Sequence, residues 1–167
     1  MTFEQADSGN VNPYVKDGIG YRHNCQTCVA VYLARRQGYD VRALPNLNNK
    51  NIYRLSVDTS LAYVDKNGGQ PMHVRKPKYQ RVMDWLGTSM KDGGIYAIEF
   101  GWKGSQDGHI ITAEKVNGKV RLYDPQMNKV IEDSTGYFAR TRSISMMDLS
   151  GCKLNESFCD SIMKKEK

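Results

Sequence analysis

Asn24-Cys25-Gln26-Thr27-Cys28-Val29-Ala30-Val31-Tyr32-Leu33-Ala34-Arg35-Arg36-Gln37-Gly38 is the stretch on which the fold turns. Cys25, Cys28, Val29, Tyr32 and Leu33 keep the three-and-four spacing of a helix with one buried face. Asn24 is a residue type that caps helix starts, Arg35 and Arg36 suit the negative end of the helix dipole, and Gly38 suits a left-handed stop. A cysteine in the first turn lies among unpaired backbone N–H groups at the positive dipole end, which favours thiolate. The stretch reads as a helix with a reactive sulfur at its mouth.

On either side of this helix the signals differ. Residues 1–24, with Gly9, Pro13, Gly18 and Gly20, read as an irregular lead-in anchored by Tyr14, Ile19 and Tyr21. Tyr39 to Leu44 alternates and stops at Pro45, as a short strand does. Residues 45–77 are rich in Asn and turn signals, with Ile52, Leu55, Leu61 and Val64 as the apolar contacts of a short helix. Pro77 fits the first turn of a second helix carrying Tyr79, Val82, Met83 and Leu86 on one face. Strands then follow at Ile95–Trp102, His109–Val116, Lys119–Asp124 and Lys129–Glu132. The tail holds a short helix around Tyr137-Phe138, a strand near Ile144–Met147, and a helix from Asn155 towards the terminal lysines.

Asn117-Gly118 between two apolar-rich runs is a strong hairpin signal. A two-residue loop there pairs Val116 with Lys119, which puts Ala113 opposite Leu122, Ile111 opposite Asp124, and His109 opposite Gln126. Opposed residues, and residues two apart along one strand, share a face. His109, Asp124 and Gln126 therefore gather at the open end of the hairpin, with His109 and Asp124 as diagonal neighbours within side-chain reach. Glu114 and Arg121 oppose each other on the other face, as an exposed-type ion pair of small energetic weight.

The totals bound what this machinery can belong to. The chain has 167 residues, 40% hydrophobic and 25% charged, which is ordinary for one domain with a real core. No apolar run is long enough to span a bilayer, and no basic-then-apolar leader marks a signal peptide. A formal charge of +6 favours solubility and acidic surfaces. The basic residues are scattered without a docking motif, so a specific nucleic-acid partner is not indicated. Cys25, Cys28, Cys152 and Cys159 match zinc spacings poorly, and reduced thiols are the default without a secretory leader. No metal or cofactor is called for.

Thiolate, imidazole and carboxylate together suit nucleophilic acyl chemistry. Cys25 would attack a carbonyl, His109 would take up and return the proton, and Asp124 would orient the ring. Helix-start N–H groups and an amide side chain from Asn24 or Gln26 would stabilise an oxyanion. Each residue also has an ordinary reading: a packed small residue, a strand-opening histidine, and an Asp-Pro turn. Their forced register is what sets the triad apart.

The motifs Asn24-Cys25-x-x-Cys28, Arg35-Arg36-Gln37-Gly38-Tyr39-Asp40-Val41, Gly108-His109 and Tyr123-Asp124-Pro125-Gln126 resemble the papain-fold toxin domains of bacterial polymorphic toxins. These glutamine deamidase domains have relatives attached to phage-head-like proteins. The resemblance covers roughly residues 12 to 132. It implies an α+β, papain-like fold whose N-terminal, nucleophile-bearing helix packs on an antiparallel sheet. Residues 1–167 would form a single domain, with 134–167 as a C-terminal extension closing the sheet. The implied activity is hydrolysis of a glutamine side-chain amide in a target protein through Cys25, His109 and Asp124. Asn24, Gln26 and Gln126 are the oxyanion and substrate candidates. Cys28 stays open as the alternative nucleophile, because Cys25-Gln26-Thr27-Cys28-Val29 can be laid over the papain-type Cys-Gly-Ser-Cys-Trp pattern. The distance to Gly38 favours Cys25. The resemblance also implies a delivered effector acting in the cytoplasm of a target cell, restrained in its producer by an immunity protein. A cysteine protease or transglutaminase on the same fold, and a non-catalytic basic phage-structural or binding module, are the competing readings.

Overall fold

In the computed structural model, which describes residues 1–166, the helices are α1 (Phe3–Asp7), α2 (Cys25–Arg36), α3 (Lys50–Val57), α4 (Val82–Ser89), α5 (Ser134–Ala139) and α6 (Glu156–Cys159). The strands are β1 (Val41–Ala43), β2 (Tyr63–Val64), β3 (His73–Arg75), β4 (Ile95–Trp102), β5 (Gly108–Val116), β6 (Lys119–Asp124), β7 (Lys129–Val130), β8 (Thr141–Asp148), β9 (Lys153–Leu154) and β10 (Met163–Lys165). An antiparallel six-stranded sheet runs in the order β3-β8-β4-β5-β6-β7, and β1-β10 and β2-β9 form two small ribbons. This is an α+β architecture.

The sheet is buried on both faces, which explains the nearly continuous apolar runs of β4 and β5. One face carries Ala97, Ile110, Tyr123 and Met147 against Val29, Leu33 and neighbouring side chains of α2. The other carries Ile98, Ile111, Leu122 and Ile144 against Trp85 and Leu86 of α4 and Phe138 of α5. α2 is wrapped more completely than one apolar stripe implies. Every side chain from Gln26 to Arg35 is buried, because α1, α3, β1 and β5 surround it. Burying each Val or Leu of that helix contributes about 1.5–3 kcal/mol. Gly38, at φ 100°, ends the helix as expected.

The Asn117-Gly118 loop has φ 50° and 77°, the left-handed pair that a two-residue turn requires. The ladder runs from Val116↔Lys119 through Ala113↔Leu122 to Thr112↔Tyr123, the register read from the sequence.

Several expectations are corrected. Residues 1–24 contain α1, whose Thr2 and Gln5 form a reciprocal capping box. Ile19 is exposed and anchors nothing; Phe3, Ala6 and Val11 do that work. α4 begins at Val82, not near Pro77, and Tyr79 stands free of it at 93% exposure, because its ring lies before the helical turn that faces the core. Glu114 does not pair with Arg121. It is buried beneath α2, where it accepts from Arg36 Nε and Tyr32 Oη at 2.9 Å each, while Arg121 turns to Asp7. The last helix stops at Cys159. The chain then turns to pair β10 with β1, and Arg42 meets Glu166 at 2.8 Å. β8, from the C-terminal segment, lies within the sheet between β3 and β4.

Candidate active site

α2 starts at Cys25, but the Asn24 side chain does not cap it. Interior partners hold the amide instead. Its Nδ2 donates to the Leu44 carbonyl at 3.0 Å and to Asn12 Oδ1 at 3.3 Å. Its Oδ1 accepts from Gln126 Nε2 at 3.3 Å and from the Cys28 thiol at 3.4 Å. With no side chain bonded to them, the first-turn N–H groups keep their donor capacity.

At the open end of the β5–β6 hairpin, His109 Nε2 and Asp124 Oδ2 lie 2.7 Å apart, both side chains about nine-tenths buried. The other oxygen, Asp124 Oδ1, accepts from the backbone N–H groups of Gln126 and Met127 at 3.0 and 3.2 Å. The carboxylate is thus fixed from both ends. Burial alone would lower the His109 pKa. Hydrogen bonding to Asp124 and then Cys25, with the charge interactions of the same groups, outweighs that and raises it from 6.5 to about 10. The Cys25 sulfur therefore acts on the same ring as the Asp124 carboxylate.

The two cysteines of α2 differ sharply. Cys25 is partly accessible. Cys28 is fully buried, and desolvation pushes its thiol well above the usual range, with Cys25 and Asp124 adding to the rise. Such burial is the setting of a packed side chain and disfavours the thiolate form.

Gln126 is buried and ties the hairpin end to α2 through Asn24. Gln26 is 8% exposed, and its Oε1 has no hydrogen-bond partner among the described residues. Among those residues no three His, Cys, Asp or Glu side chains converge as metal ligands. A cavity of about 770 Å³ beside Asn46, Asn49 and Tyr53 includes none of these groups.

Three further side chains belong to the site and escaped the sequence. Asn12 is fully buried and donates to the carbonyls of Tyr21 and Gln126 at 2.8 and 2.9 Å, besides accepting from Asn24. Trp102 stacks on His109 with ring centroids 6.0 Å apart and planes 20° from parallel. Tyr137, on α5, packs edge-on against Trp102 and Phe100 at 5.7 Å each. Its hydroxyl is buried without a partner among the described residues. Burial and then the Asp124 charge hold this phenol protonated well above the usual range, with Arg140 pulling the other way and Cys25 adding to the rise. A register for the β4–β5 hairpin would have found Trp102, but the long Gly-containing turn at 103–107 leaves that register open. Nothing local signals Asn12 or Tyr137.

A cysteine-bearing helix start set against an antiparallel sheet that carries a hydrogen-bonded His–Asp pair is a papain-type arrangement. The chain belongs to the family described as papain fold toxin 1, glutamine deamidase, whose profile matches residues 23–129. That span includes Cys25, His109 and Asp124 and stops before α5 and β8. No curated protein matches the chain. Membership makes it a toxin-type glutamine deamidase, a hydrolytic enzyme with a protein target.

Proposed function

We propose that the chain deamidates a glutamine side chain of its target protein through Cys25, His109 and Asp124, by way of a thioester. The observation that carries this reading is the His109 ring, bonded to Asp124 at 2.7 Å and acted on by Cys25 from another element. With Nε2 on Asp124, Nδ1 is the ring nitrogen left to exchange a proton with the thiol. The sulfur attacks the carboxamide carbon, and the oxyanion is met by the uncapped N–H groups of the first turn of α2. The thiol proton passes through His109 to the leaving nitrogen; the C–N bond breaks, releasing ammonia and leaving a Cys25 thioester. Water, deprotonated by His109, then attacks the thioester. Glutamate forms and the thiol is regenerated. No redox partner is needed.

As a toxin-family chain, it would act in the cytoplasm of a target cell and be blocked in its producer by an immunity protein. Asn24 and Gln126 serve as positioning residues for the helix start and the hairpin end, while Gln26 offers an unpartnered acceptor to the substrate. The test is exposure of target-cell lysate to the domain and to its Cys25→Ala variant, read by mass spectrometry. An amide-to-acid mass gain present only with the unaltered domain is expected. Target fragments would instead assign a protease, and crosslinked adducts a transglutaminase. An unchanged effect from Cys25→Ala would overturn a covalent role for this sulfur.

A further inference from the structure

The lip of this site is cationic, and its cations are held in place. Lys103, Arg140 and Arg142 are all exposed, and none forms an ion pair among the described residues. Loose surface lysines would be unremarked in that state, but these three are fixed around Trp102. Lys103 Nζ donates to the Ala139 carbonyl at 2.8 Å, and the Lys103 backbone N–H donates to the Arg140 carbonyl at 2.8 Å. Arg142 donates through Nε to the Trp102 carbonyl at 3.2 Å and through Nη2 to the Ser105 carbonyl at 2.7 Å. The Arg140 guanidinium stands 5.6 Å from the ring centres of both Trp102 and Tyr137. Trp102 in turn stacks on His109.

Local backbone geometry builds this collar. The β4–β8 register shifts between Glu99 and Gly101, with Ser143 at φ 53° in the extra residue of β8. Such a bulge re-aims the side chains beyond it. Gly101 leaves the space: a Cβ there would lie 2.7 Å from Arg142 Cζ. Among the described residues Asp107, in the same turn, makes no ion pair, and Asp133 accepts from the Gly136 N–H at the start of α5.

We propose that Lys103, Arg140 and Arg142 form a recognition collar for an acidic side chain next to the target glutamine, so that the enzyme's substrates are glutamines flanked by Asp or Glu. This rests on the glutamine-deamidase reading above. Cations already held on backbone carbonyls (Lys103, Arg142) or beside aromatic rings (Arg140) lose little further freedom when an acidic group docks, so the contact selects substrate at small ordering cost. Most of the collar lies outside the family-matched segment 23–129, and so can differ among chains sharing the same chemistry.

The experiment pairs two glutamine peptides that differ only in having Asp or Ser beside the glutamine. Ammonia release gives kcat/KM for each, and fluorescence anisotropy on the Cys25→Ala protein gives their binding. The expected preference for the Asp peptide is about tenfold, carried mainly by KM and shrinking as ionic strength rises from about 0.01 M to about 1 M. In Lys103→Gln/Arg140→Gln, checked for folding by thermal melting, the Asp-to-Ser ratio should fall towards one. Equal handling of both peptides by the unaltered protein, or an undiminished ratio in the double variant, overturns the collar. Absence of ammonia release from either peptide counts against the deamidase reading alone, because the binding ratio still decides the collar.

Discussion

Replacing Asp124 by Asn isolates the charge that sets His109. The ring's rise from 6.5 to about 10, at about 1.4 kcal/mol per unit, is a net preference of about 5 kcal/mol for the imidazolium. Burial opposes that preference, so the amide variant leaves Cys25 as the chief group still raising the ring. The His109 pKa should then fall by about two units or more. Ring-proton NMR titration reads this directly, with His109→Gln identifying the signal against His23 and His73. Stability supplies a second readout. A folded-state pKa above the unfolded one contributes stability that is complete below about 6.5 and is lost as pH climbs towards about 10. From about pH 8, where the variant's ring has begun to lose its proton, to about 10, where the native ring does, the unaltered protein should lose up to about 1.4 kcal/mol per pH unit relative to Asp124→Asn, measured by denaturant melts. Deamidation near pH 7.5 should fall by about 10²–10⁴-fold, since the ring loses the partner that orients it and favours its charged form. A His109 still titrating near 10 in the variant, or parallel stability profiles, would refute the assignment of the shift to this carboxylate.

Tyr137→Phe should raise thermal stability, by up to about 1–3 kcal/mol, because it removes a buried hydroxyl that has no partner. If that hydroxyl instead serves the substrate, kcat should fall in the same variant, and the paired measurement of melting and turnover separates the two. Iodoacetamide at neutral pH should label Cys25 in the folded protein while Cys28, Cys152 and Cys159 stay unmodified until denaturation, as peptide mapping would show; burial holds the pKa of Cys152 near 11 and of Cys159 near 12. Asn12→Ala should cost about 2–4 kcal/mol by denaturant melts, since it strands the buried carbonyls of Tyr21 and Gln126 and the Asn24 amide.

What the sequence made legible follows from how far each signal reaches. Asn117-Gly118 specifies its own turn, and a turn of known length dictates every pair up the ladder. The facing of His109 and Asp124 is thus a local property. The helix over 25–36 is equally local, but its burial is not: periodicity marks one apolar face and says nothing of the elements that close over the others. Glu114 shows the consequence. Register puts it opposite Arg121, while its partner Arg36 comes from a helix packed over that face. The Thr2/Gln5 capping box was readable and was masked by the glycines after it. Tyr79 satisfied a helical spacing without being in the helix, because a proline permits a first turn and does not require one.

The candidate site divides along the same line. One of its contacts, His109 to Asp124, spans a hairpin. The other pairing of the proposed triad, Cys25 with His109, joins elements more than eighty residues apart in the chain, and no local pattern encodes it. The structure supplies a buried tie that does: Asn12 from the lead-in bonds the Gln126 carbonyl, and Asn24, immediately before Cys25, bonds the Gln126 side chain. The same Gln126 gives its backbone N–H to Asp124. A rigid link therefore runs from the helix start through two amides to the carboxylate that holds the imidazole. Amide groups suit this task because each can donate and accept at once without introducing a charge that would compete with Asp124 for His109. Asn12, Asn24 and Gln126 thus tie the start of α2 to the end of the hairpin that carries His109 and Asp124.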